Sequence, residues 1–338
     1  MVRQGDLTEG KWNAYLRAPP VFRRIVEHAK VKPLDSIAEV FRGPTTGCDE
    51  FFILSQDTVD EWKIEPRFLT SCVSSPRKVK KFMTEKEKIQ DYLFTADEPL
   101  NDLRVTNALK YIQHGERLEV EPRKGFHREK RKVPELETLK ARQLWYSLPK
   151  FRVAPILLVK MMDKRPKAIW NRARAHASNL FYYIIPKRRG DKLPLLGFLN
   201  SSLGAFLSEL YGRSYGGGVL ELAAYELKQM PVIDCSMLSK KEGIRIADAF
   251  RAFVKADEER LKVEDGLDAI RPRSKKERGL FEAESQRELG KVIKAEEKAR
   301  TTLDEAVYDA LGLSRGERRH VEEGLRELQE LRRLRTKT

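Results

Sequence analysis

Val21, Phe22, Ile25 and Val26 follow the Pro19–Pro20 pair at helical spacing and predict a short helix, which Pro33 closes. From 34 to about 235 the pattern is mixed. SIAEVF (36–41), EFFIL (50–54), RLEVE (117–121) and LFYYIIP (180–186) are dense in β-branched and aromatic residues and read as strands. PILLVKMM (155–162), the apolar stretch 195–212 and AAYELKQM (223–230) read as helices. There is no strict strand–helix alternation with glycine-rich crossovers, which favours an α+β class over a doubly wound sheet. Beyond 238 strand signals fade. Ile246, Ala249, Phe250, Phe253 and Val254 lie on one helical face. A charged break around 270–279 precedes predicted helices at 280–300, 301–311 and 315–335. The last carries Val321, Leu325, Leu328, Leu331 and Leu334 on one side, and Gly312 and Ser314 suit a C-cap and a new N-cap. The expected organisation is a lead-in at 1–33, a mixed domain at 34–238 and an all-α region at 239–338. That region must dock its apolar faces on the mixed domain or on a partner.

Composition narrows the class. Charged residues at 35% and hydrophobic residues at 41% suit a soluble chain, and no apolar run reaches 18 residues. The first residues lack an apolar signal core, and Cys48, Cys72 and Cys235 lie far apart without metal-ligand spacing. A cytoplasmic protein with buried free thiols is the expectation. The net charge is +15, and it is concentrated: residues 77–189 hold 28 Lys and Arg against 13 Asp and Glu. Such a local excess suits a polyanion, most readily nucleic acid, whereas no basic amphipathic anchor suggests a membrane.

Catalytic signatures are missing. His28, His114, His127, His176 and His320 are scattered, and no P-loop, GxSxG or HExxH occurs. The run RSYGGGVLEL (213–222) lacks the Lys-Ser/Thr of a phosphate loop and reads as a tight turn.

Five stretches in order carry a resemblance: IAEVFRGPTTGCDEFFIL (37–54); YIQHGE (111–116) with RQLWYSL (142–148); WNRARAHASNLFYYIIP (170–186); LLGFLNSSLGAFLSELYGRSYGGGVLELAAYELKQMPV (195–232); and LDEAVYDALGLSRGERRHVEEGLREL (303–328). Together they resemble the C-terminal target-recognition region of adenine-specific DNA methyltransferases in restriction–modification systems. The catalytic motifs of that family are absent. The one Pro-Pro, in RAPPVF (17–22), has Ala18 where the Asn or Asp that holds a flipped adenine would stand. The resemblance therefore implies a specificity component for double-stranded DNA that does not methylate alone. The chain would begin where the catalytic domain of a full-length relative ends, and S-adenosylmethionine would bind that separate or missing catalytic part. A remnant that binds nucleic acid without sequence preference, or a structural subunit, is the alternative.

In a recognition domain Lys and Arg grip phosphates, while planar donors read base edges. The grip falls to Arg77, Lys78, Lys80 and Lys81; Arg123, Lys124 and Arg128; Lys164 and Arg165; Arg172 and Arg174; and Lys187, Arg188 and Arg189. Arg188, Asn200 and Arg213 are candidates for base readout, with Tyr215 as a stacking or sugar contact. Gly43 and Gly47 read as backbone turns, and Trp145, Tyr146 and Trp170 as core.

Overall fold

The computed structural model of the chain describes residues 18–121, 129–215, 218–269 and 275–334. The chain enters through α1 (Val21–Val26), β1 (Val31–Pro33), α2 (Leu34–Ile37) and β2 (Ala38–Arg42). A lobe follows: α3 (Asp49–Phe52), β3 (Ile53–Ser55), α4 (Gln56–Trp62), β4 (Leu69–Val73), β5 (Asp91–Phe94), α5 (Asn107–Gly115), β6 (Glu119–Val120), β7 (Arg131–Lys132) and α6 (Glu137–Lys140). The chain returns with β8 (Ile156–Val159), β9 (Met161–Met162), β10 (Ala168–Trp170), β11 (His176–Ala177) and β12 (Phe181–Pro186). Next come α7 (Lys192–Asn200), α8 (Ser202–Tyr211), β13 (Arg213–Tyr215), β14 (Val219–Glu221), α9 (Ala224–Gln229) and β15 (Pro231–Ile233). Three helices finish the chain: α10 (Lys240–Ala269), α11 (Lys275–Ala310) and α12 (Arg315–Leu334). This is an α+β architecture with a helical C-terminal region.

A four-stranded sheet in the order β10-β8-β12-β2 forms the frame. Both faces are covered. Ile156, Leu158, Tyr182 and Ile184 point into the large core shared with the helices, while Leu157, Val159, Phe181 and Tyr183 point into a smaller core on the other side. That double burial explains why PILLVKMM is a strand pair rather than the predicted helix. A strand buried on both faces shows no polar alternation, and its apolar run mimics a buried helix. Gly43 continues β2 so close to Ser178 that a Cβ there would lie 2.3 Å from the Ser178 carbonyl oxygen, and Gly47 has φ +90. Both glycines thus serve the backbone.

The lobe has its own aromatic core, in which Phe51 stacks on Tyr111 at 5.0 Å and meets Phe52 at 4.9 Å edge to face. EFFIL is accordingly split, a single helical turn (α3) before the short β3, instead of one strand. The turn carries Phe51 and Phe52, both fully buried, into the lobe core. RLEVE retains only two strand residues, in β6. Tyr146 is buried, Trp145 packs on Phe51 at 4.8 Å, and Trp170 packs on the large core.

The C-terminal helices dock on the frame. Ile246, Phe250 and Phe253 of α10, Leu303 and Val307 of α11, and Val321 and Leu325 of α12 share one core with Leu195, Leu196 and Phe206 of α7 and α8. Helices α7 and α8 meet at a 72° bend at Ser201, whose hydroxyl donates to Phe198 O and accepts from Gly204 N. The break predicted near 300 does not occur. Thr301 and Thr302 donate their hydroxyls to Glu297 O and Lys298 O at 3.0 Å each, and α11 runs on through them. At the next boundary the predicted caps form. Gly312 takes φ +59, and Ser314 exchanges bonds with Glu317 as a capping box. Leu331 and Leu334 of the predicted α12 stripe remain exposed, at 54% and 60%. Of the break predicted at 270–279, residues 270–274 lie outside the described residues, and 275–279 do not break but already belong to α11. Among the described residues no single helix is long and apolar enough to cross a membrane.

Candidate nucleic-acid interface

The loop between β4 and β5 carries the basic run Arg77–Lys81. Ser75 caps its first turn by accepting from Arg77 N. Phe82 then buries against Phe253 of α10 at 4.8 Å, and residues 82–84 line up beside β10, with Trp170 N donating to Phe82 O and Thr84 N to Trp170 O. Beneath this run, Lys167 donates to the carbonyls of Val79 and Lys80 and lies 5.3 Å from the Phe82 ring; burial pulls its pKa down to about 8.

The predicted cations of this loop differ in what they do. Lys78 is largely exposed and bonds both oxygens of buried Asp91 at 2.8 Å. Lys80 pairs with Asp265 at 2.9 Å in an open position. Lys81 is mostly covered and held by Glu85 at 3.1 Å and Glu258 at 3.3 Å, so it ties the loop to α10. Arg77, Lys86 and Lys88 complete the exposed basic set.

The turn after β10 presents Arg172 and Arg174, both exposed. It is held from below by Asn171, which is 3% exposed. The Asn171 Oδ1 accepts from Thr84 Oγ1 (3.0 Å) and Ala175 N (3.1 Å), and its Nδ2 donates to Ala154 O (2.9 Å) and Ala175 O (2.8 Å). Thr84 Oγ1 accepts in turn from Ala173 N at 3.1 Å. Held this way, Arg174 sits at φ +54.

Three hollows follow the loop and the turn. One of about 770 Å³ is lined by Gln56, Lys63, Thr70, Lys86, Tyr92 and Arg174, among others. A second, of about 450 Å³, shares Gln56 with it and adds Lys78, Lys88 and Asp91. A third, of about 260 Å³, shares Lys78 and Lys88 with the second and adds Arg77 and Lys80. The result is a chain of concave, cation-lined surface where the lobe meets the frame.

Strand register sorts the remaining predicted residues. Trp170 and Ile184 both pair with Ile156, so Arg172, Arg174 and Lys187–Arg189 leave the sheet at one end. Lys187 donates to Ser36 O, Arg188 approaches Asp191 at 3.9 Å, and all three residues are exposed. Lys164 and Arg165 lie past Val159, at the opposite end. Arg165 turns inward to Ser202 Oγ, while Lys164 is exposed and its carbonyl accepts from Gln329. Arg213 and Tyr215 share that second end through the β13-β14-β9 sheet. Arg213 pairs with buried Glu226 at 2.7 Å and lies over Tyr225, and Tyr215 is 47% exposed.

One assignment is corrected. Asn200 is 3% exposed; its Oδ1 accepts from Ala168 N, and its Nδ2 donates to Ala168 O and Leu196 O. With both ends of the amide used inside the core, it has nothing left to offer a base edge. Arg123, Lys124 and Arg128 lie outside the described residues. Lys63, Lys86 and Lys88 were missed from sequence. Lys86 and Lys88 alternate with Glu85 and Glu87, which cancels the local excess that marks Arg77–Lys81, and Lys63 lies among Asp60, Glu61 and Glu65, which outweigh it.

Among the described residues, titratable groups add no second centre. Cys48, Cys72 and Cys235 are free and buried, and burial pushes the thiols of Cys48 and Cys72 up to about 11 and about 12. Among the described residues no group of three or more His, Cys, Asp or Glu could hold a metal ion.

Comparison with known proteins places the chain. It is 23% identical over 257 residues to the type II methyltransferase M.AccI of Acinetobacter calcoaceticus, covering 72% of this chain and 44% of that protein. The chain thus spans less than half the length of this curated relative. Among solved structures it is similar to the type IIL restriction–modification enzyme MmeI, solved in complex with DNA, with TM-score 0.47 and 12% identity over 89% of this chain and 36% of that one. It is similar also to the type IIG restriction endonuclease BpuSI, with TM-score 0.47 and 13% identity over 89% of this chain and 33% of that one. The family model described as "Type II methyltransferase M.Eco57I, C-terminal domain" matches residues 9–267, well over half of the sequence. The chain belongs to the family of the C-terminal domain of the type II methyltransferase M.Eco57I.

Proposed function

We propose that this chain is the DNA-recognition part of an adenine-specific DNA methyltransferase of a restriction–modification system, acting on double-stranded DNA with a catalytic portion that binds S-adenosylmethionine. The observation that carries the reading is the cation-lined concave surface joining the lobe to the frame, in a chain of this methyltransferase family. Exposed Arg77, Lys86, Lys88 and Arg172 suit phosphate contacts, and the hollows offer groups for base edges. Methylation needs chemistry that these residues do not supply, so the chain's share is binding and choice of site. It works in the cytoplasm, where its buried thiols stay reduced.

Selection from a randomised duplex library, with sequencing of the retained DNA, tests this. Enrichment of one short motif containing an adenine is the expected result. Retention without enrichment would instead support binding without sequence preference, and the specificity role would be abandoned.

A further inference from the structure

Among the described residues, two that are not glycine have positive φ: Lys63 at 52° and Arg174 at 54°. Both line the hollow of about 770 Å³. Lys63 is explained by its place, because it closes α4 in the left-handed conformation common at helix ends, with its N–H on Asp60 O. Arg174 ends no helix. A left-handed backbone costs a residue with a Cβ roughly 1 kcal/mol or more, and glycine or asparagine would sit there with less strain. Instead the fold enforces the conformation through the five hydrogen bonds of buried Asn171 and Thr84, joining segments 87 positions apart in sequence.

The side chain carried by this backbone has no use within the fold. Among the described residues the Arg174 guanidinium makes no ion pair or hydrogen bond, and it stands exposed at the hollow. A string of planar and hydroxyl groups lines the same hollow: Tyr92 OH donates to Gln56 Oε1 at 2.8 Å, and Gln56 Nε2 donates to Asp60 Oδ1 at 2.8 Å. A phosphate grip needs only a mobile cation, as Lys86 can supply. A guanidinium on an over-determined backbone is suited to a fixed, planar, two-point target.

We propose that Arg174 is a specificity-determining residue that reads a guanine edge in the bound duplex by a bidentate contact. This rests on the DNA-recognition reading and adds which residue reads and which base it reads. A guanine presents two acceptors side by side in the major groove, the pattern an arginine fork matches.

The test compares the full chain with Arg174→Lys and Arg174→Gly in the same random-duplex selection, alongside thermal melting and affinity at several salt concentrations. Both variants should melt at or above the wild-type temperature, Gly because it relieves the strain. Both should lose preference at one G·C position of the selected motif by roughly 10-fold or more, with the other positions kept. A uniform loss over all sequences with a salt slope lower by about 1 for Arg174→Gly, or an unchanged motif for either variant, would overturn the proposal. If the wild-type chain selects no motif, the recognition reading itself fails and this assignment falls with it.

Discussion

Asn171 Oδ1 accepts the Thr84 hydroxyl at 3.0 Å, and this one buried bond joins the basic loop after β4 to the arginine-bearing turn after β10. Both residues are 3% exposed, so neither can turn to water if its partner is lost. Replacing Asn171 with Leu should strand the Thr84 hydroxyl, Ala175 N–H and the Ala154 and Ala175 carbonyls. The expected cost is about 2–4 kcal/mol in urea unfolding, since each buried orphan costs on the order of 1–3 kcal/mol and partial repair is available. A loss below about 0.5 kcal/mol would show that the network does not hold the turn.

Helix α12 is fastened by a buried ion pair. Arg332 and Glu209, 4% and 5% exposed, meet at 2.9 Å, and Arg332 also donates to the carbonyls of Gly218 and Asp163. Breaking one side leaves a buried charge. Glu209→Leu should therefore destabilise the protein by about 3–5 kcal/mol, and Glu209→Leu with Arg332→Leu by less than the single change. Chemical denaturation of the two variants decides the point; a double variant at least as damaged as Glu209→Leu would contradict it.

Lys167 gives a pH signature. Burial depresses its folded pKa to about 8, below the unfolded value of 10.5. Below pH 8 the fold bears the whole cost of the buried ammonium. As pH rises from about 8 towards 10.5 the native state sheds the proton first, and stability gains. Wild type should therefore gain on Lys167→Met over that interval when both are melted across the pH range. Parallel curves would mean that Lys167 titrates as an ordinary lysine.

What could be read from the sequence was what repeats locally. The face of Ile246, Phe250 and Phe253 follows helical spacing, and the Gly312–Ser314 punctuation is written in adjacent residues. Strand β12 was legible through FYYIIP. Strand β8 was not, because ILLV is buried on both sides and no periodicity separates strand from helix there. At the candidate interface the exposed charges of Arg77–Lys80, Arg172 and Arg174 were legible as local excess. Asn200 was misjudged because its burial depends on Ala168 across the core. The special status of Arg174 was invisible, since it depends on Thr84 approaching Asn171 from a distant segment and on a backbone angle that composition does not encode.

On the proposed DNA-recognition role, the exposed cations along the loop at 74–90 and the turn at 171–175 grip duplex DNA. Duplex affinity measured as a function of salt, for the wild type and for a variant with Arg77→Ala, Lys86→Ala and Lys88→Ala, decides this. Binding at low salt should weaken linearly in log–log form for the wild type, and the variant's slope should be smaller by about 2 to 3, because each phosphate contact contributes about 0.9. No binding at low salt, or identical slopes for the two proteins, would contradict the account.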